Sequence, residues 1–327
     1  MPRRWTVNIA EGSRLMIVSG QWPPTPVADA LPGTMARQPG RFEARQTRAH
    51  WQGRLQVLGT AAADALDPGA LFLNGLLLQG PLDISGPLGQ VELAHCTVLP
   101  GGTLITVGSD SPRLALRVLS CLAAPIAVAG PVGSVAVADS IVGLQDAGAA
   151  GSAALSAPQA PLDLLRTSFL GTVHGLTISA SDCIFDAPAV AERRQTGCVR
   201  FCYVPPASAV PRRYRCQPQL ETDARIAALR AAALAAGLPP PTAAEEDAVR
   251  AEVEATVRPL FTSRRYGDPG LAQLDLRCAA QIRTGAESGA EMGAYERLRQ
   301  PQREANLRDA LAEYLRLGLT AGVYFAN

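Results

Sequence analysis

Pro81 to Val98 reads PLDISGPLGQVELAHCTV, and Pro125 to Val142 reads PIAVAGPVGSVAVADSIV. The second stretch repeats the first at an offset of 44 residues, with Pro, Gly, Pro, Gly, Val, Ala and Val in the same places. Most other positions exchange Leu for Ile or Val, or Cys for Ser. A shorter copy, LTISASDCIF, follows at Leu176 to Phe185. Internal repetition on this scale marks chains built by stacking similar units.

Outward from the repeat, the chain is a ladder of short apolar runs. They are Leu71-Phe-Leu, Val91-Glu-Leu, Leu114-Ala-Leu, Val135-Ala-Val, Leu162-Asp-Leu and Ile178-Ser-Ala. Their starts lie 20, 23, 21, 27 and 16 residues apart, so one repeat is two coils of roughly 22 residues. A strand–helix–strand crossover needs about 30 residues or more, so this period is too short for one. It predicts an all-β right-handed parallel β-helix, a solenoid with Gly and Pro at the corners. Leucine-rich repeats are the rival, but their fixed Leu spacing and Asn are missing. A hexapeptide left-handed helix would need a six-residue period, which is also missing.

Aligned turns generate side-chain columns. One inward column carries Cys96, Ser140, Thr167 and Cys183; the column before it carries His95, Asp139, Arg166 and Asp182. Neighbouring strands lie about 4.8 Å apart, which predicts Arg166 between Asp139 and Asp182, with the carboxylates about 10 Å apart. The Leu114 turn has an extra residue and no assigned place in the columns.

The remainder is less regular. Thr6–Ile9 and Arg14–Val18 are strand-like and joined by Glu-Gly-Ser. Residues 23–50 are an excursion rich in Pro, Gly, Gln and Arg, and residues 143–161 read as a Gly/Ala/Ser-rich loop. Leu119 to Ala138 has no charge over 20 residues, yet its Pro125, Gly130, Pro131 and Gly133 argue against a membrane helix. The predicted division is 1–204 for the solenoid and 205–327 for an Arg-rich segment and an α-rich tail. Helices are expected over Glu221–Ala236, over Thr242–Leu260 with a capping box, and over Gln302–Leu317. Part of the tail is expected to cover the open C-terminal end of the solenoid, and Ala321–Phe325 to form a closing strand.

Composition narrows the function. Aromatic residues make up only 5%, which suits thin, stacked layers, and the formal charge of +1 implies no general attraction to nucleic acid or anionic membrane. All basic residues are Arg. Seven Cys, scattered from Cys96 to Cys278, suit a reducing cytoplasm better than a disulfide scaffold. The N-terminal apolar run is broken by Asn8, Glu11 and Arg14, which argues against a secretion signal.

Three sets of residues could carry chemistry or binding. Asp139 and Asp182 could serve as a carboxylate pair, but about 10 Å lies beyond the window of about 6.5–9.5 Å for inverting glycosidases. Arg166 between them would hold both ionised, which is poor for a general acid and points to a structural ladder. Cys198, Cys202 and Cys216, with Cys278, are the candidate metal ligands. Their C-x3-C-x13-C spacing lacks a second close pair, which favours buried thiols over zinc. His50, His95 and His174 are isolated, and no nucleotide-binding fingerprint is present, so no cofactor is expected. The third set is Arg193, Arg194, Arg200, Arg212, Arg213 and Arg215, six Arg against one Glu over residues 191–218. Arg binds carboxylate and phosphate in bidentate fashion. Tyr203 and Tyr214 could stack on bases, but acidic Glu245, Glu246, Asp247, Glu252 and Glu254 offer a nearer partner. Pairing within the chain or with a protein is therefore preferred to nucleic acid.

The strings TISASDCIFDAPAVAERRQTGCVRFCYVPPASAVPRRYRCQP, FTSRRYGDPGLAQLDLRC, AEMGAYERLRQPQREANLR and YLRLGLTAGVYF, with the opening WTVNIAEGSRLMIV, cover most of the chain. They resemble a poorly characterised family of bacterial β-helix proteins associated with phage-tail-like contractile injection particles. The resemblance implies a structural or surface-binding role in such a particle, with particle proteins as partners and cytoplasmic synthesis before incorporation. It supplies no reaction and no catalytic residues. The expectation is therefore a non-enzymatic protein. The alternatives are a polysaccharide-binding or polysaccharide-cleaving β-helix, with a glycan as partner, and nucleic-acid binding through the Arg cluster.

Overall fold

A computed structural model describes residues 4–19, 24–26, 31, 34–37, 49–99, 104–144, 152–316 and 318–320. The chain opens with β1 (Arg4–Ile9) and β2 (Arg14–Val18), then an antiparallel pair, β3 (Pro24–Pro26) and β4 (Met35–Arg37). β5 (His50–Gln52) and β6 (Arg54–Gly59) follow. The repeat region then runs β7 (Ala70–Asn74), β8 (Leu77–Gln79), β9 (Leu82–Ser85), β10 (Gln90–Ala94), β11 (Thr97–Val98) and β12 (Ile105–Val107). It continues with β13 (Ala115–Leu119), β14 (Leu122–Ala123), β15 (Ile126–Val128), β16 (Ser134–Ala138), β17 (Ile141–Val142) and β18 (Ala153–Leu165). The last strands are β19 (Ser168–Phe169), β20 (Thr172–Ser181), β21 (Ile184–Phe185), β22 (Ala189–Ala191), β23 (Cys198–Arg200) and β24 (Arg212–Tyr214).

Each repeat strand pairs in parallel with the strand one circuit later, not with its neighbour in sequence. Leu71 lies beside Val91, Val91 beside Leu116, Leu116 beside Val135, Val135 beside Leu162, and Leu162 beside Ile178. Leu116, not Leu114, is thus the member of the column. Along these strands buried and less buried residues alternate, as in iBiBi over Gln90–Ala94, because successive side chains point to opposite faces. The inward side chains form one continuous aliphatic core, including Leu71, Val91, Leu116, Val135, Leu162 and Ile178.

The sheet topology corrects the expected right-handed parallel β-helix. The strands do not form separate thin sheets stacked coil by coil. A single 15-stranded sheet follows the path β1-β6-β9-β12-β15-β18-β16-β13-β10-β7-β2. This mostly parallel wall of 11 strands nearly closes as a barrel, beside a separate parallel sheet and a few helices. The architecture is a barrel-like α/β arrangement, and the solenoid description falls with the β-helix. β18 is the physical reason. Its first half pairs with β15 and its second half with β16, so one strand of 13 residues joins two ladders that earlier circuits keep apart. The path starts and ends on β1 and β2, which are consecutive in the chain.

β18 also corrects the loop expected over 143–161, since strand begins at Ala153. Its burial pattern, eBBiBieBiBeBi, shows that Leu155, Ala157, Leu162 and Leu164 supply core, which the small residues between them conceal in the sequence. The apolar segment Leu119–Ala138 becomes β14, β15 and β16. Among the described residues no helix is long and apolar enough to cross a membrane.

The 7-stranded sheet has the order β21-β19-β17-β14-β11-β8-β5. Its inward residues, among them Val98, Val142, Phe169 and Phe185, enter the main core. Ile141 and Ile184 on its other face join a second core with Val253, Val257, Phe261, Leu271, Ile282 and Met292. The tail supplies that second core. It contains α1 (Gln219–Ala235), α2 (Ala243–Thr256), α3 (Ala280–Arg283) and α4 (Gln300–Tyr314). α2 starts where expected: the Thr242 hydroxyl accepts from Glu245 N–H and the Glu245 carboxylate accepts from Thr242 N–H, closing the capping box. The second core sets this part of the tail along the flank of the small sheet. Parallel pairing also continues past residue 204, through β23–β24 and Tyr203 beside Gln217. Residues 321–325 and most of 23–50 lie outside the described residues.

Glycines of the repeat are explained by close approach between circuits. A Cβ on Gly86, at φ +74°, would lie 2.2 Å from the Gly59 carbonyl oxygen. The equivalent Gly130 would meet Ser109 Cα at 2.7 Å. Only glycine fits both places.

Candidate functional site

The corner between the large and small sheets repeats one local conformation. His95, Ser120, Asp139, Arg166, Asp182, Phe201 and Arg215 all have φ between 45° and 56°. Left-handed backbone is costly for most residues, so its recurrence marks a turn imposed by the stacking. The next residue in each case points inward and donates to the carbonyl two residues earlier. The Ser140 hydroxyl donates to Ala138 at 2.7 Å and the Thr167 hydroxyl to Leu165 at 2.9 Å. The thiols of Cys96, Cys121, Cys183, Cys202 and Cys216 make the same contact with Ala94, Leu119, Ser181, Arg200 and Tyr214. The exchange of Cys96 for Ser140 in the repeat is therefore conservative, because both fill one small donor position.

This column decides the cysteines. Cys202 and Cys216 face the interior, and burial pushes both thiols up. Cys198 lies exposed on β23. The three candidate ligands do not converge, and among the described residues no group of three or more metal-ligating side chains is placed to hold an ion.

The charged column is in register, as its spacing predicts. Asp139 N–H donates to Leu165, Arg166 N–H to Ser181, and Asp182 N–H to Arg200, stacking the three residues on successive circuits. The side chains divide differently from the prediction. Arg166 Nε donates to Asp139 Oδ1 at 2.5 Å and Nη2 to Oδ2 at 3.1 Å, a bidentate pair. That pairing raises the Arg166 pKa. Arg297 Nε approaches the same carboxylate at 2.9 Å, and Glu296 lies 3.9 Å from Arg166. Asp182 does not share the guanidinium. Its Oδ1 accepts from Glu287 N–H at 2.7 Å, its Oδ2 accepts from the Ser181 hydroxyl at 2.8 Å, and its backbone carbonyl accepts from Gly293 N–H at 2.8 Å. Ser168 Oγ accepts from Ala294 N–H at 3.1 Å. A Cβ on Gly293 would stand 2.5 Å from that oxygen, so the segment lies flush against the wall.

The column is thus a clamp. Its carboxylates and guanidinium hold residues 287–297 onto the corner, and each carboxylate already has its partners. General acid catalysis needs a protonated carboxyl free to reach a substrate oxygen, and neither Asp139 nor Asp182 is placed to be one.

The Arg cluster has a different environment. Arg200 Nε donates to Ser181 Oγ at 3.2 Å, and its guanidinium lies 3.9 Å from Glu287. Arg213 donates to the Ser208 carbonyl, and Arg215 stands over the Phe201 ring at 5.8 Å. Among the described residues Arg193, Arg194, Arg212, Arg213 and Arg215 make no ion pair. The acidic helix does not reach them: Glu246 pairs with Arg230, Glu252 with Arg225, and Asp247 with Arg250. Among the described residues the cluster's one ion pair within the chain is Arg200 with Glu287, and the cluster makes none with α2 of the same chain. The reason is proximity, since α1 lies against α2 and brings its own arginines closer.

Two further features were not found from the sequence. A groove of about 510 Å³ crosses the outer face of the large sheet, lined by Arg117, Asp163, Ser179, Ser181, Cys198 and Arg200 over a floor of small residues such as Ala136 and Ala138. Register creates it, by placing small outward residues on successive strands. A smaller cavity of about 180 Å³ in the tail contains Glu291, Arg283, Asp275, Thr262 and Gln273. Glu291 is only 5% exposed, and burial pushes its carboxyl up to about 7, against a smaller opposing pull from Arg283. Nothing in the string GAEMGAYE singles that residue out.

Comparison with known protein families, with curated proteins and with solved structures finds no match for this chain.

Proposed function

We propose that the chain is a non-enzymatic structural or surface-binding component of a phage-tail-like particle. The observation that carries the non-enzymatic part is the clamp: the best acidic pair, Asp139 and Asp182, is spent on holding residues 287–297. The particle assignment rests on the resemblance of the Asp182–Pro218 and C-terminal strings. A rigid wall with a covered flank suits a scaffold, and arginines without acidic partners suit attachment to another protein. The test is to purify particles from cells with and without an intact copy of this gene. The reading expects the chain in the wild-type particle and altered assembly or surface binding without it. Particles that lack the chain and are unchanged by its deletion would reject the reading.

The groove supports a second reading, binding of an extended polysaccharide. Arg117 and Arg200 lie among its lining residues, where they could meet acidic sugars, and the small residues beneath leave room for a chain. A glycan array combined with a reducing-end assay distinguishes the outcomes: retention without new ends means binding, and new ends mean cleavage.

A further inference from the structure

β24 is the last strand of the wall. It pairs with β23 on one side, and among the described residues no strand pairs with its other side. Phe201 N–H donates to the Tyr214 carbonyl, and peptide groups alternate in direction along a strand, so those of Arg213 face the open side. An open edge is a template for another strand. This edge is flanked by Arg212, Arg213 and Arg215, which have no acidic partner among the described residues, and by Tyr214, which is 51% exposed.

Charge selects the occupant. A second copy added end to end would continue the ladder that begins at β2, and would bring Met16, Ile17 and Val18, not carboxylates, against Arg212, Arg213 and Tyr214. Guanidinium groups would then be covered by apolar side chains with no carboxylate in reach, which disfavours self-association. A segment bearing carboxylates would instead gain both backbone pairing and bidentate Arg contacts. We infer that the open edge of β24 receives an extended acidic segment of a partner protein, added as a further parallel or antiparallel strand. The inference rests on the binding-component reading and gives it an attachment point.

The experiment uses the full chain and fluorescent peptides, read by anisotropy and by amide exchange at residues 212–215. The probes are a short peptide of alternating Glu and Val, the same peptide N-methylated at alternate residues, its Lys–Val counterpart, and an oligo-dT strand. The acidic peptide is expected to bind and to slow exchange at Arg213. N-methylation, which removes backbone pairing but keeps charge, should weaken binding about tenfold or more, as should Arg212→Ala combined with Arg215→Ala. The Lys peptide should not bind. Equal binding of the N-methylated peptide, tighter binding of oligo-dT, or no binding of the acidic peptide would each overturn the inference. The peptide result is independent of co-purification with the particle, so an empty edge and a wrong particle assignment are told apart.

Discussion

Replacing Glu291 with Gln is expected to stabilise the protein at about pH 8 by up to about 3 kcal/mol, with little change near pH 4. The carboxyl is 5% exposed and its pKa is pushed from 4.5 to about 7 by burial. The native state therefore holds this proton over a range in which the unfolded chain has released it. Its stabilising effect is complete below 4.5 and is lost as pH rises through 7. Arg283 opposes the shift, and ionised Asp275, held down to about 2 by Arg277, lines the same cavity. Buried Cys278 and half-buried Tyr295 also lie close enough to Glu291 to feel its charge. Gln keeps the size and neutrality of the protonated acid and has no proton to lose. Urea unfolding at about pH 5 and about pH 8 measures the effect. Wild-type stability that does not fall across this interval, with no gain in the Gln variant, would show that Glu291 is solvated.

The second large effect lies in the main core. Phe169→Ala should cost about 3–5 kcal/mol, because the ring is wholly buried and the wall around it is held by backbone pairing that cannot collapse into the cavity. Phe169 stacks on Phe185 with centroids 5.4 Å apart and planes 6° from parallel. Phe169→Leu keeps most of the volume and should recover much of the loss. The urea midpoint would report both changes. A Phe169→Ala cost below about 1 kcal/mol would mean that the two rings are not core.

The period near 22 and the two aligned columns were legible because side-chain register repeats exactly where glycines force close approach, as at Gly86 and Gly130. The columns even placed Asp139, Arg166 and Asp182 on successive circuits. The closure of the sheet was not legible. It depends on β18, whose Ala, Ser, Gln and Pro residues look like a loop until Leu155 and Leu162 are seen to pair with β15 and β16 neighbours. The clamp was half legible, since the Asp182 carboxylate and backbone carbonyl accept from Glu287 and Gly293, more than a hundred positions away. Backbone donors such as Glu287 N–H carry no sequence signal. The Glu291 cavity was hidden for the same reason: a carboxyl becomes unusual only when tertiary packing buries it. Cys202 and Cys216 fill corner donor positions, which share with metal ligands a demand for a small polar side chain, so residue type alone left both readings open.

The clamp carries the central claim, and Asp182 tests it most directly. Amide exchange should be measured at Glu287 and Gly293 in the wild type, in Asp182→Asn and in Asp182→Ala, alongside polysaccharide cleavage. Asn retains an oxygen acceptor and tolerates left-handed backbone, so protection of Glu287 and Gly293 should persist; Ala removes the side-chain acceptor, so Glu287 should exchange faster, and by more than Gly293, whose acceptor is the backbone carbonyl of residue 182. Neither the wild type nor either variant should cleave polysaccharide. The account would be contradicted by a wild type that cleaves and an Asn variant that keeps its protection yet loses the activity.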